Sequence, residues 1–154
     1  ALYRPLARVA NAWGEALKSE VRYPATLGAF LDHCRASGQT RPTPLMLKYG
    51  AGDYNRLHQD LYGGTQFPLQ AAILLSAPGK DFAGGEFVLT ESAPRRQTRA
   101  EVVPLSQGDM VIFAVNQRPV PSAKGFSRVA MRHGVSTVRT GERYTLGLIF
   151  HDAT

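Results

Sequence analysis

The chain has 154 residues, with 18 Lys and Arg against 12 Asp and Glu, and a formal charge of +6. That length suits one domain with a real core, and no apolar run reaches the ~18 residues that would mark a membrane span. The single cysteine, Cys34, excludes an internal disulfide. It reads as a small core residue, because no partner base stands near it in the sequence. The basic balance favours polyanionic partners through long-range attraction. It equally fits plain solubility, since no long basic run exists. The start, Ala1-Leu2-Tyr3-Arg4-Pro5, has no apolar signal core, so the expected location is cytoplasmic. It also lacks an initiator Met, which reads as the C-terminal part of a longer protein.

Leu2, Leu6, Val9, Trp13 and Leu17 recur at three- and four-residue steps and predict a helix over 2–18. A second helix follows Tyr23-Pro24, with Leu27, Phe30, Leu31 and Cys34 on one face and Gly38 to end it. His33 falls on its surface. From Pro44 the pattern turns to strands, over 45–49, 67–77, 86–91, 101–105, 110–115, 126–138 and 143–151. Fifteen Gly and ten Pro punctuate them. The expected architecture is a mainly β sandwich or barrel with two N-terminal helices packed outside. It forms one domain over 1–154, with 1–43 as helical support and 44–151 as β core. Gly84-Gly85 predicts a tight turn or close backbone approach. Gly108-Asp109 predicts a turn feeding a buried strand. His151-Asp152 reads as structural, because neighbours on a strand point to opposite faces.

His58-Gln59-Asp60 is an H-x-D pair, and His133 ends a β-like run. Two imidazoles and one carboxylate can occupy one face of an Fe(II) ion and leave the other face open for substrate and O2. Ten residues after His133 comes Arg143-Tyr144-Thr145, whose arginine could hold the carboxylate of an acidic co-substrate. That combination points to an oxygenase using non-haem iron and 2-oxoglutarate. The bland readings are a loop histidine beside a turn acid, a solvated strand-edge charge for Arg143, and a core aromatic for Tyr49.

The order Tyr49, Gly50, Gly52, His58-Gln59-Asp60, Gly84-Gly85-Glu86, Gly108-Asp109, His133 and Arg143 resembles the iron(II)/2-oxoglutarate dioxygenase superfamily over residues 44–151. The tyrosine before H-x-D, the G-G-E strand opening and the basic residue after the distal His are similar to the prolyl-hydroxylase-like group. That group usually carries Lys where this chain has Arg143. The strings from Asp53 to Gly63 and from Phe67 to Gln70 resemble a bacterial family of predicted oxygenases for oxidative demethylation of damaged nucleic acid. The resemblance implies a double-stranded β-helix, or jelly roll. It also implies Fe(II) on His58, Asp60 and His133, and 2-oxoglutarate on Arg143, Thr145 and Tyr49. The superfamily's nucleic-acid dealkylases carry R-x-N-x-T-x-R, whereas here Thr145 stands for the Asn and Ile149 for the final Arg.

Three functions follow as alternatives. One is an oxygenase for alkylated nucleic acid, another a hydroxylase of a protein, peptide or small molecule, and the third a non-catalytic metal-binding cupin-like module. Specificity is expected from the loop 116–125 and the segment 92–99, and nucleic-acid contact from the basic segments 95–99 and 118–132. Arg118 and Lys124 would border the mouth, while Arg128 and Arg132 would point away from the iron. Tyr62 and Phe67 are the candidate stacking aromatics.

Overall fold

The computed structural model describes residues 1–154. Two helices lead, α1 (Tyr3–Ala16) and α2 (Leu27–Ala36). Eleven strands follow: β1 (Leu45–Tyr49), β2 (Asn55–His58), β3 (Leu69–Leu74), β4 (Phe82–Gly84), β5 (Phe87–Ser92), β6 (Arg99–Val103), β7 (Met110–Ala114), β8 (Gln117–Ser122), β9 (Gly125–Val135), β10 (Val138–Gly141) and β11 (Arg143–Leu148). One sheet has the order β1-β11-β3-β7 and the other β2-β9-β5-β6, with β8 also on β9. Along the chain these eight strands pass from one sheet to the other at every step except the β5–β6 hairpin, which stays in the second sheet, and this is the jelly roll the resemblance implied. β4 and β10 form a separate pair.

The core between the sheets holds Tyr49, Ala72, Leu74, Phe82, Phe87, Phe113, Val135 and Val138. A second core forms where the helices cap one end of the first sheet. There Tyr3, Leu6, Ala7, Ala10, Phe30 and Cys34 meet Phe67, Leu69 and Phe150. The rings of Tyr3, Phe30, Phe67 and Phe150 pack with centroids 5.0 to 6.0 Å apart. Thr26 caps α2 by accepting from the Ala29 amide at 3.3 Å. The helices thus pack outside the sheets, as expected. No helix is long and apolar enough to cross a membrane.

Several expectations change. The buried side of α1 runs through Tyr3, Leu6, Ala7 and Ala10, and Val9 is 42% exposed. Small alanines let that side approach the sheet more closely than a Val9 face would. Leu27 is also exposed. The strand after Gly108 is buried on one face only, leaving Met110 and Ile112 on the open side. The stretch 116–125 is not a loop. It is β8 and the turn into β9, paired from Gln117↔Ala130 to Ser122↔Gly125. The run 126–138 is divided into β9 and β10, and the last strand stops at Leu148.

Candidate metal centre

His58 and His133 come from neighbouring strands through an irregularity in their pairing. Asn55 opposes Val135, yet His58 rather than Leu57 opposes His133. One extra residue in β2 makes a bulge, and a one-residue slip reverses which face a side chain occupies. The bulge therefore turns His58 inward beside His133. Gly134 permits it, since a Cβ there would lie 2.6 Å from the Asn55 carbonyl oxygen. Asp60, two residues on, keeps to the same side. The ligand atoms of His58, Asp60 and His133 all lie within 4.8 Å of one another.

Each side chain is held. The His58 Nδ1 donates to the Arg56 carbonyl at 2.6 Å, which leaves Nε2 with its lone pair in the neutral ring. That Nε2 lies 3.4 Å from Asp60 Oδ1, and His133 Nε2 lies 3.2 Å from Oδ2. The His133 ring packs against the touching pair Phe87 and Phe113, at 6.1 and 4.7 Å between centroids. The intervening Gln59 points elsewhere and donates to the Asn116 side chain and the Met131 carbonyl, both at 2.8 Å. It ties the end of β2 to β9.

Burial works against ionisation of Asp60. Hydrogen bonds from His133, His58, Tyr62 and Gln70 outweigh it and hold the carboxyl well below the usual carboxylate range. The Asp60 hydrogen bond, against the effect of burial, raises the His58 imidazole. Two imidazoles and one anionic carboxylate converging on one point suit a divalent transition metal.

Arg143, Thr145 and Tyr49 line the same cavity as the His58, Asp60 and His133 cluster, on the facing sheet. Tyr49 pairs directly with Arg143 across β1 and β11. The guanidinium is 1% exposed. It donates to Thr145 Oγ1 and sits 5.4 Å from the Tyr49 ring and 5.9 Å from the Phe82 ring. No carboxylate of the chain pairs with it, and its Nε has no partner. Burial lowers its pKa, with Tyr49 acting in the opposite sense. Gly85 makes room for it. Gly85 has φ +63°, and a Cβ there would come within 2.9 Å of both Arg143 Cδ and Val138 Cγ2.

The other expected residues fare unevenly. Phe67 cannot stack on a substrate, because it is fully buried under the helices. Tyr62 turns its hydroxyl onto Asp60 Oδ1 at 2.7 Å. Burial and then its hydrogen bond to the Asp60 carboxylate push its pKa up to about 12. Arg118 lies on β8 and pairs with Glu91 rather than standing free on a loop. Lys124, in the turn before β9, is exposed. Arg128 and Arg132 are exposed on the face of β9 opposite His133, and Arg128 donates to the Leu17 carbonyl at 3.1 Å. His151 is fully buried, with Nδ1 accepting from the Phe67 amide at 3.3 Å. Gln70 was missed. It donates to Asp60 Oδ2 at 2.8 Å, and its only sequence signal is a lone polar residue in the apolar run of β3.

Two proteins of Mycobacterium tuberculosis, from strains CDC 1551 / Oshkosh and H37Rv, carry the description uncharacterized protein. Each is 51% identical over 153 residues, covering 99% of this chain. The chain spans 66% of the length of these curated relatives. Among solved structures, a 2OG-Fe(II) oxygenase family oxidoreductase from Burkholderia pseudomallei aligns with TM-score 0.49 and 21% identity, over 75% of this chain and 49% of that one. A Pseudomonas putida prolyl-4-hydroxylase aligns with TM-score 0.47 and 16% identity, over 96% and 80%. Residues 1–153 match the profile of Oxygenase-NA, described as an oxygenase catalysing oxidative methylation of damaged DNA. The chain belongs to the Oxygenase-NA family.

Proposed function

We propose that this chain is a non-haem Fe(II)/2-oxoglutarate-dependent dioxygenase, and that its substrate is alkylated nucleic acid. One observation carries the first half. A His-Asp-His cluster and a buried arginine with no anionic partner face each other across one cavity. A buried unpaired cation is costly, so a site that keeps one is suited to an anionic ligand. When bound, Fe(II), 2-oxoglutarate and O2 supply oxidation of a substrate C–H bond, with 2-oxoglutarate leaving as succinate and CO2.

The chain's residues would divide the work. His58, Asp60 and His133 hold the metal. Arg143 takes the distal carboxylate of 2-oxoglutarate in its planar fork, with Thr145 and the Tyr49 hydroxyl beside it. Phe87, Phe113 and Val135 wall the cavity and limit water.

The substrate class rests on the family's description, which names damaged DNA, and on the formal charge of +6. Oxidising an N-methyl group gives a product that collapses to formaldehyde and the free base. Oxidation at a methyl group therefore means its removal. The ligands lie inside the barrel, so a base must leave its stack to reach them, and single strands are the favoured form.

The test is succinate release with Fe(II) and 2-oxoglutarate, coupled to formaldehyde release from methylated single-stranded oligonucleotides. Asp60→Ala should abolish both. Succinate without formaldehyde would move the substrate to a protein, peptide or small molecule. A protein that binds Fe(II) yet releases no succinate with any substrate would leave only a metal-binding module.

A further inference from the structure

We infer that Gln70 and Tyr62 are positioning residues that clamp Asp60, one on each carboxylate oxygen, and so fix the orientation it presents to a metal. The inference rests on the metal-centre reading above.

An ionised carboxylate offers about four lone-pair positions, two on each oxygen. The Tyr62 hydroxyl donates to Oδ1 at 2.7 Å, and the Gln70 amide donates to Oδ2 at 2.8 Å. His58 Nε2 faces Oδ1 at 3.4 Å, and His133 Nε2 faces Oδ2 at 3.2 Å. Each oxygen is thus shared by one neutral donor and one imidazole. Imidazoles that ligate a metal give it their lone pairs and cease to restrain the aspartate. Gln70 and Tyr62 then remain as its only side-chain anchors. Gln70 also reaches the second ligand, with Nε2 3.2 Å from His133 Nε2.

Gln70 is not there for packing. It is 3% exposed in a strand whose neighbours are Leu69, Ala71, Ala72, Ile73 and Leu74. Its Oε1 is buried without a partner. An unsatisfied buried acceptor is destabilising, and a leucine would fill the position without it. The strand carries that cost at the one place where an amide N–H reaches Asp60. Tyr62 comes from a different segment, beside Gly63-Gly64, and its part-exposed ring sends only the hydroxyl inward.

Gln70→Leu and Tyr62→Phe each remove a donor and keep the shape. Mn(II) affinity, read from the free Mn(II) signal in electron paramagnetic resonance, should fall about 10-fold or more in each, as for other residues that orient metal ligands. Thermal unfolding of the metal-free variants separates this role from a merely structural one. The Gln70→Leu protein should melt close to the wild type, because the loss of its hydrogen bond to Asp60 is offset by removal of the orphaned acceptor. Mn(II) affinity equal to wild type in both variants would overturn the clamp and leave the metal centre standing. A wild-type protein that binds no Mn(II) would overturn both.

Discussion

At the scale of one residue, the proposed role of Arg143 implies a trade of stability for a ligand. Its guanidinium is almost fully buried, and its partners are a threonine hydroxyl and two aromatic rings rather than a carboxylate. Replacing buried charge by an apolar side chain of similar size is often neutral or stabilising. Arg143→Met should therefore melt at or above the wild type in the absence of 2-oxoglutarate. With Mn(II) and 2-oxoglutarate the order should reverse, because only the wild type gains stability by binding. Loss of the charged partner should cost about 2–5 kcal/mol of co-substrate affinity, a fall of ~30-fold or more by calorimetry. Arg143→Lys keeps the charge but not the planar fork, and should fall between the two. Unchanged 2-oxoglutarate binding in Arg143→Met would move the role elsewhere. Arg139 is a poor substitute, since its side chain is 67% exposed and directed toward Glu86 at 3.6 Å.

At the scale of the element, the β2 bulge decides whether there is a site at all. Gly134→Ala would push a methyl group against the Asn55 carbonyl and the Arg56 and Leu57 backbone. Backbone cannot give way as a flexible side chain can, so the bulge should shift and carry His58 with it. The expected result is a large loss of Mn(II) affinity, with the β-sheet signature in circular dichroism retained. A variant that binds Mn(II) as the wild type does would show that His58 is placed by something other than the bulge. This device is invisible in the sequence. The H-x-D spacing makes His58 and Asp60 share a face, and the run before His133 marks a strand. Nothing in either string says that three residues of β2 oppose two of β9. The same limit hid β8, whose Pro119 and Pro121 read as a loop. Proline is excluded from a strand interior only where its missing N–H would be needed, and β8 pairs on one side alone. The longer runs were legible because burial imposes a pattern on them. Leu45–Tyr49 is the clearest, with the inner positions Leu45, Leu47 and Tyr49 alternating with Met46 and Lys48. Short edge strands such as β4 and β10 carry too few buried positions to write one.

Across the whole molecule the question is what the basic surface is for. Five of the 18 Lys and Arg side chains form ion pairs with acids, among them Arg118 with Glu91 and Arg99 with Glu101. Those two arginines are poorly placed to meet phosphates, since a nucleic acid would first have to displace a carboxylate. Arg56 is different. It is exposed two residues before His58, its nearest side-chain partner is the exposed Tyr54, 6.0 Å from ring centroid to guanidinium carbon, and no acid pairs with it. Lys124 is likewise free of an acid partner. A cation beside an exposed aromatic is the arrangement that holds an unstacked base and its phosphate. Binding of a single-stranded methylated oligonucleotide should then weaken as salt rises, with each neutralised phosphate adding about −0.7 to the log–log slope. Arg56→Ser with Lys124→Ser should flatten that slope by up to about 1.4, at two phosphates, and leave 2-oxoglutarate affinity unchanged. Arg118→Ser should change the slope less, because its charge is already matched by Glu91. The measurement is a fluorescence-anisotropy titration across a salt series. If the wild type does not bind single-stranded DNA or RNA even at low salt, the positive charge serves solubility. The same Fe(II)/2-oxoglutarate site would then act on a protein, peptide or small molecule.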